Sequence, residues 1–340
     1  MEFFYTYFEQ LIEHLSNRSQ DIVRERFGSV DGRAKTLEEI GKKYRITRER
    51  VRQIIRSALR EIQSHGKDTL RKAKDDIEAT LRSKSGIMSE EDLIKSLEQG
   101  NVREVAALRF FLECLMKERL IKESVRMRRS YALKDFSMNE WKEALDNIIY
   151  VLMQNKEAID TVLLFEKFSQ KHSSPTMTMN KFVDFIAVSK EVKYNAFGKC
   201  GLASWSDISP KGTREKAYLV MKSLHKPLHF RDITALIDLH GLSKNGSKKT
   251  HPQTVHNELI KDARFILVGR GIYALSEWGY AQGTVREVVG EVLRKNETPM
   301  KRIDIIKQVL ALRQVKKSTV VINLNTFFAK VGKDAYTLKR

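Results

Sequence analysis

The chain has 340 residues, of which 41% are hydrophobic and 31% are charged. This length predicts several small domains, and this composition excludes a largely disordered chain. There are 62 lysine and arginine residues against 43 aspartate and glutamate residues, so the formal charge of +19 favours a polyanion as partner.

The sequence carries no run of about 20 apolar residues, so we do not expect a membrane span. The aromatic start, MEFFYTYFEQLIEHL, has acidic residues and neither a basic beginning nor a small-residue cleavage site, which predicts a helix and not a signal peptide. Cys114 and Cys200 lie far apart and favour neither a disulfide framework nor a thiolate metal site. We therefore expect a cytoplasmic protein.

The first clear elements are two short helices between residues 33 and 62. Thr36 and Glu39 have the spacing of a capping box at the start of the first helix, and Thr47 caps the second. Apolar residues then recur at helical spacing from Val51 to Ile62 and predict the buried face of the second helix. Two short helices joined by a tight turn form a helix-turn-helix.

The other side of the second helix carries side chains that suit the major groove of DNA. Arginine pairs bidentately with guanine, glutamine pairs with adenine, and glutamate accepts from cytosine. A solvated helix face in a small bundle is the alternative that charge and periodicity leave open. The outward residues are Arg48, Glu49, Arg52, Gln53 and Arg56.

This part of the chain resembles region 4 of the primary bacterial sigma factors, which reads the −35 promoter element. The resemblance spans about residues 17–62 and is carried by RSQDIVRERFG and TLEEIGKKYRITRERVRQIIRSALREI. It implies that the residues reading base edges are Arg48, Glu49, Arg52 and Gln53. It implies that the phosphate or packing contacts are Arg50, Arg56 and Arg60.

Sigma factors also contain an aromatic-rich segment that melts the −10 element, and helices that bind the polymerase clamp. Only about 16 residues precede the resemblance, and no sequence after it looks like these segments. We therefore expect that the chain does not start transcription alone as a sigma factor does.

After residue 65 the sequence repeats with a period of about 70 residues. Four anchors, Met88, Ile159, Leu228 and Met300, are separated by 71, 69 and 72 residues. Each unit has apolar residues seven and eleven positions before its anchor, which predicts an amphipathic helix, a short break and a second helix. The apolar residues five positions after the anchors are Leu93, Leu164, Ile233 and Ile305.

The four units also end alike, in short alternating strands that predict a hairpin after a third helix. This order of elements is the plan of a winged helix. The strands are centred on Tyr131, Leu202, Tyr273 and Tyr336. The basic residues near the hairpin tips are the RMRR run at 126–129, Lys199, Arg270 and Lys333.

The third unit reads TREKAYLVMKSLHKPLHFRDITALI and then HPQTVHNELIKDARFILVGRGIYALSEWG. It resembles the HARE-type helix-turn-helix, a winged module of the delta subunit of Firmicute RNA polymerase and of some restriction and chromatin proteins. The fourth unit is similar to it more weakly, and the first two only in outline. The resemblance implies a role in binding DNA or polymerase and assigns no base contacts.

Within the third unit, His251 and Pro252 are predicted to begin the third helix. The preceding loop is lysine-rich, and a flexible solvated loop is the alternative interpretation. The candidate phosphate contacts of the third helix are Thr254, Asn257 and Lys261. Those of the loop and the hairpin tip are Lys244, Lys248, Lys249 and Arg270.

The sequence carries no clear sign of metal or catalytic chemistry. Pro227 separates His225 from His229, and neither Cys nor an acidic residue stands at ligand spacing, so we expect no metal. Nucleophile elbows, HExxH motifs, phosphate loops and nuclease-like acidic clusters are all missing from the sequence. We therefore expect neither catalytic residues nor a cofactor, and a protein that is not an enzyme.

Together these patterns predict a mainly α protein, in which a helix-turn-helix domain precedes tandem winged-helix modules with short β-hairpin wings. The helix-turn-helix domain is predicted at 1–65. The four winged modules are predicted at 68–136, 138–208, 210–280 and 283–340.

The expected function is transcription regulation through recognition of a −35-like element, without catalysis. The expected partners are double-stranded DNA and the RNA polymerase core, and the expected location is the nucleoid. One alternative is an accessory polymerase subunit whose winged helices contact protein, and another is the DNA-specificity module of a restriction or modification system. The sequence leaves the target site, the sign of regulation and the oligomeric state open.

Overall fold

A computed structural model describes residues 4–98, 100–172, 176–243, 249–296 and 298–339. Within these ranges the chain is mainly helical with small antiparallel sheets, which confirms the predicted fold class. The chain divides into two compact units, Met1–Lys193 and Tyr194–Arg340. None of the helices in the described ranges combines the length and the apolar character that a bilayer crossing requires.

The first unit contains ten helices and the first four strands of the described chain, with a single 3₁₀ turn at Lys117–Arg119. In chain order they are α1 (Phe4–Ile12), α2 (Asn17–Phe27), α3 (Leu37–Tyr44), α4 (Arg48–His65), α5 (Lys67–Arg82), β1 (Ile87–Ser89), α6 (Glu90–Leu97), α7 (Val102–Leu115), β2 (Leu120–Ile121), β3 (Ser130–Ala132), α8 (Met138–Asn155), α9 (Thr161–Lys171), α10 (Met179–Ala187) and β4 (Val192–Tyr194), which ends just inside the second unit.

The described part of the second unit continues with six helices and seven strands, with a 3₁₀ turn at Ser276–Trp278. They are β5 (Cys200–Leu202), α11 (Thr213–Leu224), β6 (Leu228–His229), α12 (Phe230–Leu239), α13 (Pro252–Ile260), β7 (Phe265–Gly269), β8 (Ile272–Leu275), α14 (Val285–Arg294), β9 (Met300–Lys301), α15 (Arg302–Leu312), α16 (Lys317–Phe327), β10 (Ala329–Val331) and β11 (Ala335–Thr337).

One order of elements, helix, strand, helix, helix, strand and strand, recurs along the chain. It runs from α5 to β3, from α11 to β8 and from α14 to β11, and these stretches are called the first, third and last copies below. In each of them the last strand lies between the other two and pairs antiparallel with both. This is the arrangement of a winged helix, and helices α8 to α10 follow the same order of helices.

The residues of the sequence repeat occupy equivalent places in these copies. The register pairs that recur are Met88 with Tyr131, Leu228 with Tyr273 and Met300 with Tyr336. All three tyrosines are buried, as are the apolar residues five positions after each anchor. The 70-residue period therefore corresponds to one copy of the winged-helix plan, with a buried tyrosine joining the last strand to the first.

A continuous apolar core joins the first copy to the helices that precede it. Phe110 of α7 meets Phe8 of α1 at a ring-centroid distance of 5.1 Å and Phe27 of α2 at 5.0 Å, both edge to face. Phe111 of α7 contacts Phe4 in the same way, at 5.7 Å. Such pairs contribute stability beyond the area that they bury. The predicted boundary at residue 65 therefore lies within a shared core.

Candidate nucleic-acid interface

Helices α2, α3 and α4 pack around a small apolar cluster that holds the helix-turn-helix together. The buried members of this cluster are Ile22, Ile40, Val51 and Ile55. These residues come from all three helices. Because Val51 and Ile55 lie on the same side of α4, the cluster holds α4 on that side. Its opposite side stays exposed to solvent.

The predicted caps of both short helices are present. The Thr36 hydroxyl accepts the Glu39 N–H at 3.2 Å, and the Glu39 carboxylate accepts the Thr36 N–H at 2.8 Å, which completes the capping box of α3. The Thr47 hydroxyl accepts the Arg50 N–H at 3.1 Å and caps α4. These bonds satisfy N–H groups that each helix start would otherwise leave without a partner.

The turn between α3 and α4 depends on two backbone positions. A Cβ atom at Gly41 would lie 2.7 Å from the carbonyl oxygen of Ile46, closer than real Cβ contacts allow, so a side chain here would push the turn away from α3. Arg45 ends α3 in the left-handed region, with a φ of 53°. The close approach at Gly41 and the cap at Arg45 together set the direction in which α4 leaves the turn.

A buried carboxylate braces the helix-turn-helix from α2. Glu25 is almost fully buried and forms ion pairs with Lys35, before α3, and Lys43, near its end. Burial alone would raise the pKa of Glu25, but the hydrogen bonds from the two lysines outweigh it and leave this pKa lowered. The charged carboxylate therefore stabilises the position of α3 against α2.

The four predicted base-reading residues all lie on the exposed side of α4. Arg52 donates to both carboxylate oxygens of Glu49, at 2.6 and 2.8 Å, and these bonds lower the pKa of Glu49 and raise that of Arg52. Arg50 donates to the Gln53 side-chain oxygen at 3.2 Å. Only two of the five N–H donors of Arg52 are engaged in these bonds, so three remain for a base or phosphate.

Two further arginines, Arg56 and Arg60, extend this basic surface along α4. Arg48, Arg56 and Arg60 are exposed, and no carboxylate of the described residues lies within salt-bridge distance of them. Arg48, Arg52 and Arg56 are spaced four residues apart and therefore share one side of the helix. The exposed side of α4 therefore carries hydrogen-bond donors along most of the helix.

The candidate contacts of the third copy are placed on α13 and in the loop and turn beside it. His251 caps α13 by accepting the Gln253 N–H at its Nδ1 atom, and Pro252 is the first residue of the helix, as predicted. The exposed candidates are Lys249, Thr254, Asn257, Lys261 and Arg270. Lys244 and Lys248 lie outside the described residues.

Two of these candidates already have partners on α13. Asn257 accepts a hydrogen bond from the Gln253 side chain at 3.0 Å, and Lys261 pairs with Glu258 at 3.4 Å. The Lys261 side chain is 62% exposed, so this pair is weak and can exchange for a phosphate contact.

The basic run at 126–129 lies in the hairpin loop between β2 and β3, where the sequence predicts it. Its three arginines bind carboxylates of the same unit and are not free. The pairs are Arg126 with Asp146 and Glu191, Arg128 with Glu91 and Asp92, and Arg129 with Glu90. Arg128 also donates to the Ala187 carbonyl oxygen at 3.1 Å, so this cluster joins the first copy to the end of α10.

The third helix of the first copy, α7, is also engaged inside the molecule. It buries residues on several sides against α1, α2, α5 and α6. The run LRFFLECL carries apolar residues in adjacent positions, which is the sequence signal of a helix covered on more than one side. The described residues contain no group of three or more His, Cys, Asp or Glu side chains placed to hold a metal ion.

Comparison with known proteins shows that the N-terminal segment of the chain matches a protein family. Residues 11–64 match the family Sigma-70, region 4, which confirms the resemblance of the N-terminal segment. The RNA polymerase sigma factors SigA of Nostoc sp. PCC 7120 and of Microcystis aeruginosa are each 45% identical to this chain over 64 residues. The aligned segment covers 19% of this chain and only 15–16% of these relatives.

Proposed function

We propose that this chain binds double-stranded DNA in transcription and reads a −35-like promoter element with the exposed side of α4. One observation carries the proposal. The segment that matches sigma region 4 presents its four predicted base-reading residues together, on the solvent side of a helix whose other side is fixed by a core. An α-helix of this kind fits the major groove, where the four base pairs present distinct patterns of donors and acceptors.

The assignment of roles follows from the chemistry of the side chains. Arg48 and Arg52 would donate to guanine, Gln53 would pair with adenine, and Glu49 would accept from cytosine while it orients Arg52. We assign the phosphate contacts of the first unit to Arg50, Arg56 and Arg60. We assign those of the second unit to Lys244, Lys248, Lys249, Thr254, Asn257, Lys261 and Arg270.

We also propose that the RNA polymerase core is a partner and that the protein acts without catalysis. The support is the likeness of residues 11–64 to sigma factors of RNA polymerase. The sequence resemblance of the third and last copies to HARE-type modules points the same way. Under this proposal the tandem modules raise the affinity by effective concentration, even where each module binds weakly.

An accessory polymerase subunit is a second candidate, and a specific observation favours it. In the first copy both the third helix and the wing make contacts within the chain, so this copy serves as a scaffold. With the first copy as a scaffold, the protein could hold its remaining surfaces against polymerase instead of DNA.

The proposal is tested by a competition titration of the full chain with −35-like and scrambled duplexes. Arg52→Ala and Gln53→Ala should each weaken binding to the preferred duplex by about 5-fold to 150-fold, since a base-edge pair discriminates by about 1 to 3 kcal/mol. Gln63→Ala is the matched control, because Gln63 is an exposed glutamine on α4 that lies outside the assigned set. If the Arg52 and Gln53 variants bind both duplexes as the parent does, α4 does not read DNA and the second candidate replaces the first.

A further inference from the structure

The positive charge of this protein is divided unevenly between its two units. Residues 194–340 contain 26 lysine and arginine residues against 12 aspartate and glutamate residues, a formal charge of +14. Residues 1–193 contain 36 against 31, a formal charge of +5. The unit that contains the sigma-like helix is therefore the less basic one.

Ion pairing leaves the net charge of each unit unchanged, but it determines which cations remain free to contact a polyanion. In the first unit, cations are held by carboxylates at the Arg126–Arg129 cluster, around Glu25 and along α5. In each such pair the cation is held by its carboxylate and is not free to contact a phosphate. Much of the basic charge of the first unit is therefore engaged within its own structure.

The last copy shows the opposite arrangement. Lys316 and Lys317 stand at the start of α16, and Lys330 and Lys333 lie on the hairpin that follows it. All four are exposed, and within the described part of the chain no carboxylate lies within salt-bridge distance of them. The acidic residue of this hairpin, Asp334, is occupied by Arg302 at 3.2 Å.

Helix α16, which begins with two of these lysines, has a length that suits a DNA groove. Helix α16 packs on α14 through buried Val320 and Leu324, which leaves its other side exposed. Its 11 residues span about 16 Å, because an α-helix rises about 1.5 Å per residue. A helix of this length can lie in a major groove about 12 Å wide, with Lys316 and Lys317 at its start and Lys330 and Lys333 on the hairpin after it available to phosphates.

The hairpin beyond α16 is held in place and does not depend on DNA for its position. The Arg302 N–H donates to the Asp334 carbonyl oxygen at 2.8 Å, and β11 pairs with both β9 and β10. Gly332 supplies the left-handed turn, with a φ of 73°. The lysines of the hairpin are therefore presented by an ordered element.

We propose that the second unit supplies sequence-independent affinity for the phosphates of duplex DNA through Lys316, Lys317, Lys330 and Lys333, while the first unit selects the sequence. The choice of duplex DNA as the polyanion rests on the function proposed above. Neutralised phosphates release counterions, so the removal of one lysine–phosphate pair should reduce the slope of log affinity against log salt by about one.

The test uses the full chain with Lys316→Gln, Lys317→Gln, Lys330→Gln and Lys333→Gln combined. The matched control combines four substitutions that remove the same charge from exposed lysines of the first unit that have no carboxylate partner in the described ranges: Lys72→Gln, Lys117→Gln, Lys122→Gln and Lys142→Gln. Binding to −35-like and scrambled duplexes is titrated at several salt concentrations, and circular dichroism checks that both variants are folded.

We expect the second-unit variant to bind both duplexes more weakly by the same factor, roughly 10-fold to 100-fold. The slope of its log affinity against log salt should be smaller by about three to four. The control should change the slope by less than about one. Equal effects of the two variants, or no effect of the first, would overturn the proposal. A single-stranded RNA that competes better than duplex of equal length would show that the ligand is RNA.

This outcome is separable from that of the proposed function. If the parent does not prefer the −35-like duplex, the assignment of α4 is wrong. The salt slopes measured on the scrambled duplex still decide whether the second unit provides the electrostatic affinity.

Discussion

The first and third copies of the winged-helix plan use the same elements in opposite ways. In the first copy, α7 is buried on several sides, and Phe110 and Phe111 insert among aromatic residues of α1 and α2. In the third copy, α13 buries only Val255 and Leu259 and leaves a polar face in solvent. A helix at the same position is thus a core element in one copy and a surface element in the other.

The hairpins of the two copies differ in the same sense. The arginines of the first hairpin are bound by carboxylates, whereas Arg270 of the third is exposed and has no salt-bridge partner within the described ranges. A basic residue at the tip of a wing is therefore not sufficient evidence of a DNA contact. What decides its role is whether neighbouring elements bring an acidic group to it.

The largest expected effect tests the core role of α7. Phe110→Ala should lower the free energy of unfolding of the first unit by about 3 to 5 kcal/mol, because it leaves a cavity among three packed elements. Ile260→Ala on α13 is the contrasting variant and should stay within about 0.5 kcal/mol of the parent, since Ile260 is exposed. Urea unfolding followed by circular dichroism measures both. Similar losses of unfolding free energy for the two variants would contradict the distinction between a core helix α7 and a surface helix α13.

A smaller effect is expected when the ion pairs of the buried Glu25 are removed. Glu25→Gln should lower the free energy of unfolding by about 1 to 3 kcal/mol at neutral pH, because both lysine partners lose their carboxylate. The lowered pKa of Glu25 in the folded protein means that its contribution is present above the unfolded pKa of about 4.3 and is lost as the pH falls through the folded value. Parent and variant should therefore become equal in stability in acid.

Urea titrations between neutral and acidic pH measure this convergence. Glu38→Gln is the control, because Glu38 is an exposed residue of α3 with a single lysine partner at 3.5 Å. A difference between parent and Glu25→Gln that stays constant across this pH range would show that the carboxylate charge has no part in bracing the helix-turn-helix.

The smallest effects are expected from two variants that compare the hairpin of the first copy with that of the third. Arg128→Ala should cost about 1 to 2 kcal/mol of stability, because it removes two partly exposed ion pairs and a bond to a carbonyl, and should leave the salt dependence of DNA binding unchanged. Arg270→Ala should leave stability within about 0.5 kcal/mol and lower the salt slope by about one. Thermal unfolding measures the stability of both variants, and salt titrations of DNA binding measure their salt slopes. A lower salt slope for Arg128→Ala together with a loss of stability for Arg270→Ala would contradict the prediction.

Much of this molecule could be predicted from local patterns. The capping box at Thr36 and Glu39, the cap at Thr47 and the start of α13 at Pro252 depend only on residues within about one helical turn. The repeat anchors are also local, since apolar residues at helical spacing must face a core wherever that core lies. The exposed side of α4 follows from the same periodicity.

Only the tertiary structure decided which basic residues are free and which third helix is exposed. The partners of Arg126 are Asp146 and Glu191, which are 20 and 65 residues away along the chain, and the aromatic residues that cover α7 come from α1 and α2, about 100 residues earlier. Hydrogen bonds within a helix act over about four residues, so their signals remain in the sequence. Ion pairs and burial between distant segments depend on the folded path of the chain, and no spacing in the sequence records them.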